Sequence, residues 1–99
     1  MKPNTRYRFS YFMKCKDLKP LSRGGGATVS VCDAVNGTHY VPDRYYPRGD
    51  SDWMHFSYDF TTGDKVDDPA KKQNAYITLR IRNASGVAYF DDVRLEELP

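Results

Sequence analysis

The chain has 99 residues, the size of one small domain, and nothing in it leaves room for a second. Fifteen Lys and Arg against thirteen Asp and Glu give a net charge of +2, and the basic residues are scattered. A nucleic-acid binder, which needs a massed basic face, is therefore not expected. No run reaches the roughly 18 apolar residues of a membrane span, no signal peptide is legible, and an aromatic content of 14% excludes a disordered tail.

Alternation dominates the chain. Between Thr5 and Lys16 the odd positions are Tyr7, Phe9, Tyr11, Met13 and Cys15, and the even ones include Arg6, Arg8, Phe12 and Lys14. This is the pattern of a long strand with one apolar face. Lys19-Pro20 and Arg23-Gly24-Gly25-Gly26 are expected to end it, and a second strand follows over Ala27–Asp33. Residues 34–52 read as a long ordered loop with a turn at Asn36-Gly37 and a short strand at His39-Tyr40-Val41.

Trp53–Phe60 alternates again, with Met54, Phe56, Tyr58 and Phe60 opposite Trp53, His55, Ser57 and Asp59. Residues 61–74 are polar, with one helical turn at most near Pro69–Gln73. Ala75, Ile77, Leu79 and Ile81 alternate with Tyr76, Thr78, Arg80 and Arg82. After a turn at Asn83–Gly86 the strand Val87–Leu95 closes the domain. Five to six strands and no convincing helix predict an all-β antiparallel sandwich.

Three segments carry a family resemblance. Pro3-Asn4-Thr5-Arg6-Tyr7-Arg8-Phe9-Ser10-Tyr11, then Asp52-Trp53 with Phe60 seven residues on, then Gly86–Leu95 with its Tyr89-Phe90-Asp91-Asp92-Val93 centre, occur in that order. They resemble the landmarks of jelly-roll carbohydrate-binding modules of families four, nine and twenty-two. The resemblance implies a jelly-roll (galactose-binding-like) sandwich that binds polysaccharide or oligosaccharide without catalysis. It also implies an attached, secreted or cell-surface glycoside hydrolase that the module targets to its substrate. In those modules the first landmark lies behind several N-terminal strands. Those strands are thus expected to be absent, or to lie in a longer module of which this segment is part, or to be replaced by a second copy that pairs with the open sheet edge as a homodimer.

The aspartate of the "DDV" landmark is a structural calcium ligand in the resembling families, so Asp91 is the expected metal residue. By simple alternation it shares a face with Tyr89, Val93 and Leu95, on the core side.

An enzyme is not expected. The inventory for catalysis is two His, two Cys, eleven Asp and two Glu, the Asp mostly in turn-like contexts, with no familiar nucleophile or metalloprotease motif. Sugar recognition needs flat aromatic faces for pyranose C–H surfaces and Arg, Asp, Asn or His for the hydroxyls. The loop residues Tyr40, Arg44, Tyr45 and Tyr46 supply both, and Tyr76 with Arg80 falls on one strand face. These six are the expected carbohydrate-binding residues.

Phe12, Trp53, His55 and Arg82 join Tyr76 and Arg80 on the non-core strand faces, although Trp53 at a strand start is the kind of residue that caps a core. The alternative is a spacer or protein-interaction sandwich with those tyrosines buried. Arg48-Gly49-Asp50, Asn36-Gly37-Thr38 and Asn83-Ala84-Ser85 read as turns before they read as recognition or glycosylation motifs. If the first two strands formed a hairpin, Cys15 and Cys32 would lie about four residues, ~14 Å, out of register. The expectation is two buried free thiols.

Overall fold

The computed structural model describes residues 1–33, 39–41, 48–66 and 76–99. Arg44, Tyr45, Tyr46 and the helical turn expected near Pro69–Gln73 lie outside them. Six strands follow in chain order: β1 (Arg6–Pro20), β2 (Gly26–Cys32), β3 (His39–Val41), β4 (Met54–Thr61), β5 (Tyr76–Arg82) and β6 (Ala84–Glu97). There is no helix among the described residues. They form two antiparallel three-stranded sheets, β4-β1-β6 and β3-β2-β5. The all-β, sandwich-like expectation holds, with one core between the layers. The Cα atoms span 41 × 29 × 18 Å, the shortest dimension being that of two stacked sheets.

β1 organises the molecule because it pairs on both sides. Its odd residues face inward as alternation dictates. Phe9, Tyr11, Met13 and Cys15 join Ala27, Val29 and Val31 of β2 and Val41 of β3 in one buried cluster, with Phe56, Tyr58, Phe60, Phe90 and Leu95 packed against it. The register sets Tyr7, Phe9 and Tyr11 opposite Phe60, Tyr58 and Phe56. Tyr11 and Phe56 stack with centroids 5.2 Å apart, the cross-strand aromatic pairing that stabilises a sheet beyond area burial.

Two aspartates in the left-handed region change the parity that sequence alternation implies. Asp17 has φ +50° and coincides with a register shift between Lys16 and Lys19, so that Leu18 turns inward and is 1% exposed. The strand therefore survives the Lys19-Pro20 pair that was expected to end it, and Lys19 and Pro20 pair with Ser85 and Ala84. Gly49 closes the outer edge of this bulge by exchanging hydrogen bonds with Leu18, and the Asp50 carboxylate accepts the Asp17 N–H at 2.9 Å. The Arg-Gly-Asp tripeptide is thus a turn docked on β1.

Asp92, with φ +48°, coincides with a second shift between Ser10 and Phe12. Leu95 stays opposite Phe9, but Asp91 pairs with Phe12 and Tyr89 with Lys14. Asp91 and Tyr89 consequently share the outer face and both are exposed. The core-side orientation expected for Asp91 is corrected: an extra residue in β6 reverses the alternation, and Asp tolerates the required backbone.

The chain passes from one sheet to the other at single corners. Asn83, at φ +45°, separates β5 from β6 and its carbonyl accepts the Leu21 N–H at 2.7 Å. The turn expected over Asn83–Gly86 is confined to this residue, and Gly86 belongs to β6. β1 and β2 lie in different sheets rather than in a hairpin. Cys15 and Cys32 are both free and buried.

Candidate functional site

The outer face of the β4-β1-β6 sheet is built in rows, because three strands in register present one side chain each. In one row Lys14 stands opposite Tyr89, and Trp53 continues the β4 register on its other side. The Lys14 Nζ lies 5.4 Å from the Trp53 ring centre and 5.3 Å from that of Tyr89. In the next row His55, Phe12 and Asp91 are adjacent, with the Phe12 and His55 rings 4.6 Å apart. Phe12, Trp53, Asp91, Asp92 and Arg94 line an open depression of about 600 Å³. Trp53 is 42% exposed and Tyr89 43%. Trp53 is therefore not the core cap that its position suggested, since its parity with His55 puts it outside.

The far rows are charged and internally neutralised. Arg8 clasps Asp59 with Nε at 2.8 Å and Nη2 at 3.0 Å, and Arg94 donates to Asp92 at 2.7 Å with Glu96 at 3.6 Å. The Arg8 hydrogen bonds hold the Asp59 carboxyl below the ordinary aspartate range, against a smaller desolvation effect, and raise Arg8 in turn. A lowered carboxyl stabilises the fold above its unfolded value and loses that contribution as pH falls through the folded one. Asp59→Asn is accordingly expected to flatten the loss of stability below about pH 4, measured as melting temperature against pH in low salt. A wild-type acid slope retained by the variant contradicts the pairing.

Of the expected carbohydrate residues, Tyr40, Tyr76 and Arg80 can be placed, while Arg44, Tyr45 and Tyr46 lie outside the described residues. Tyr40 is half-buried and joins the layers: its ring stacks on Phe60 at 5.0 Å, Phe60 stacks on Tyr7 at 5.9 Å, and its hydroxyl donates to the buried Asp33 carboxylate at 3.0 Å. Burial, followed by the Asp33 carboxylate, pushes the phenol up, although the Gly63 N–H works against it. Tyr40→Phe is expected to cost about 1.5 kcal/mol, the worth of a hydrogen bond to a charged acceptor, read from chemical denaturation. An unchanged midpoint contradicts this role.

Tyr76 and Arg80 do share a face, opposite Cys32 and Thr28, but in the other sheet, so they cannot meet a ligand seated on Trp53 and Phe12. Arg82 lies there too, opposite Gly26. The expected strand-face platform is thus divided between two surfaces. Tyr89 and Lys14 are the members that sequence reasoning missed. The tandem Asp91-Asp92, able to absorb a bulge, was the available signal.

Asp91 accepts the Asp92 N–H at 2.8 Å while Asp92 turns to Arg94. Calcium takes 6 to 8 oxygens, and no group of three or more His, Cys, Asp or Glu side chains clusters among the described residues. Elsewhere, the Cys32 sulfur lies 3.2 Å from His39 Nδ1 but is 1% exposed, so this pair fastens β3 to β2 rather than presenting a nucleophile. Comparison of the chain with family models, curated proteins and solved structures returns no match.

Proposed function

We propose that the domain binds carbohydrate without catalysis, through the outer face of the β4-β1-β6 sheet. In this reading the fold is of jelly-roll type and the domain holds an attached secreted or cell-surface glycoside hydrolase on its polysaccharide. One observation carries it: Trp53, Phe12, His55 and Tyr89 are gathered on one sheet face, with Asp91, Asp92 and Arg94 at the rim of the same depression. Flat apolar surface beside a few placed polar groups is what a pyranose requires. Binding would act by raising the local concentration of substrate around the tethered enzyme.

Trp53 is the sole tryptophan of the sequence, so its fluorescence reports on this face alone. Titration with soluble β-glucans, xylans, mannans and polyuronates is expected to shift or quench it saturably for one polymer. Binding detected calorimetrically with no change in Trp53 emission would place the site elsewhere.

A second reading, association through a sheet edge, is favoured by β5. Ile77, Leu79 and Ile81 are 42%, 45% and 42% exposed although they stand opposite the core residues Val31, Val29 and Ala27. Among the described residues β5 ends its sheet, and beside it Met1, Val31, Tyr76, Ile77 and Leu95 line a gap of about 180 Å³ between the layers. Antiparallel pairing of β5 with a second copy about Leu79 sets Ile77 against Ile81 and Tyr76 against Arg82, with no like charges opposed. The chain is expected to dimerise at high concentration in light scattering, and Leu79→Lys to return it to monomer. A wild-type chain that stays monomeric contradicts this pairing.

A further inference from the structure

We infer that the ligand of the Trp53 face is an acidic sugar, a polysaccharide whose pyranose units carry carboxylates. This rests on the carbohydrate reading of the same face and goes beyond it in naming the substrate class. The argument turns on Lys14. Lys2, Arg8 and Arg94 each have a carboxylate within 4.0 Å. Lys14 has only the two rings, and among the described residues no carboxylate lies within ion-pair reach of it. Lys14 is a half-buried residue, central in its row, and its ammonium lies between Trp53 and Tyr89. The ordering cost of placing a flexible lysine is thereby met before any ligand arrives.

The charge around the depression is polarised. Lys16 follows on the same face of β1, exposed and opposite Val87, two residues and so about 7 Å along the strand from Lys14. The acidic side chains Asp91 and Asp92 occupy the other flank, and Asp92 is neutralised by Arg94. A uronic acid matches both halves. Its ring offers the C–H face that stacks on Trp53 or Tyr89, and its carboxylate projects from the ring edge toward Lys14 and Lys16. Its hydroxyls meet His55 and Asp91. A neutral sugar would leave the Lys14 charge covered and unpaired, which is costly where water is displaced.

The test is calorimetric titration of the intact chain, in low salt, with polygalacturonate, polymannuronate, their carboxyl-reduced neutral counterparts and dextran sulfate. At least one polyuronate is expected to bind about tenfold or more tighter than its reduced form. Lys14→Gln is expected to abolish that preference, so that the polyuronate binds no tighter than its reduced form. Should Lys14→Gln lack a cooperative melt, Lys16→Gln supplies the same comparison with a smaller expected loss.

Equal binding of acidic and reduced polymers by the wild-type chain overturns the acid preference and leaves the carbohydrate reading standing. Dextran sulfate binding as tightly as the best polyuronate also overturns it, because charge alone would then suffice. Silence toward these polymers and all neutral glycans is the failure of the carbohydrate reading itself, and the acid preference falls with it.

Discussion

Replacing Trp53 by alanine is expected to reduce glycan affinity about 70-fold while shifting the folding free energy by less than about 1 kcal/mol. The first figure follows from area. A pyranose that covers about 100 Å² of the indole removes that much apolar surface from water, worth about 2.5 kcal/mol. A weak module has no reserve against such a loss. The second figure follows from position, since Trp53 precedes β4, is 42% exposed, and its ring is held by the Lys14 ammonium at 5.4 Å. An exposed cation–π contact contributes only about 0.5–1 kcal/mol. Titration calorimetry and a thermal melt on the same variant separate the two effects. Lost binding together with a collapsed melt would mean that the residue is structural, and unimpaired binding would remove it from the site.

Gly86→Ala is expected to cost about 3 kcal/mol. Gly86 has φ +114°, a conformation that residues bearing a β-carbon rarely adopt. It also lies against the β1 bulge: a β-carbon there would run into the Asp17 carbonyl oxygen and come within 2.8 Å of the Leu18 Cα. Both neighbours are backbone and cannot swing aside. The bulge is fixed in turn by Gly49 and Asp50, so the strain has nowhere to go. For a domain near 100 residues the loss lowers the melting temperature by roughly 12–24 °C. Gly63→Ala is the control, because nothing lies within 4 Å of a β-carbon there. Equal effects at the two positions would contradict the account of the bulge.

What the sequence conveys well is local. The odd residues of β1 and the even residues of β4 face the core as their alternation predicts, because a period of two is a property of the chain itself. It fails where one residue is inserted. Asp17 and Asp92 each add a step, and beyond each the facing of side chains reverses, taking Leu18 inward and Asp91 and Tyr89 outward. Nothing in the alternation marks these positions, although aspartate is among the few residues that enter the left-handed region without heavy cost.

The sheet assignment was equally hidden. Whether Tyr76 and Arg80 adjoin Phe12 and Trp53 depends on β5 pairing with β2 rather than with β1 or β6, a long-range choice that no local pattern encodes. The exposure of Ile77, Leu79 and Ile81 has the same origin, since an apolar strand face is fully covered only when the strand has neighbours on both sides. The platform was thus legible in its individual members Phe12, Trp53 and His55. It was illegible as a site, because its completion by Lys14 and Tyr89 depends on a bulge and on strand order.

The most direct test of the central claim, that the Trp53 face holds a sugar, is calorimetric titration of the wild-type chain against soluble β-glucans, xylans, mannans and polyuronates, with a thermal melt on the same sample. The account predicts millimolar to micromolar binding to one polymer class. Silence across the whole panel, from a chain that melts cooperatively and is therefore folded, would contradict it.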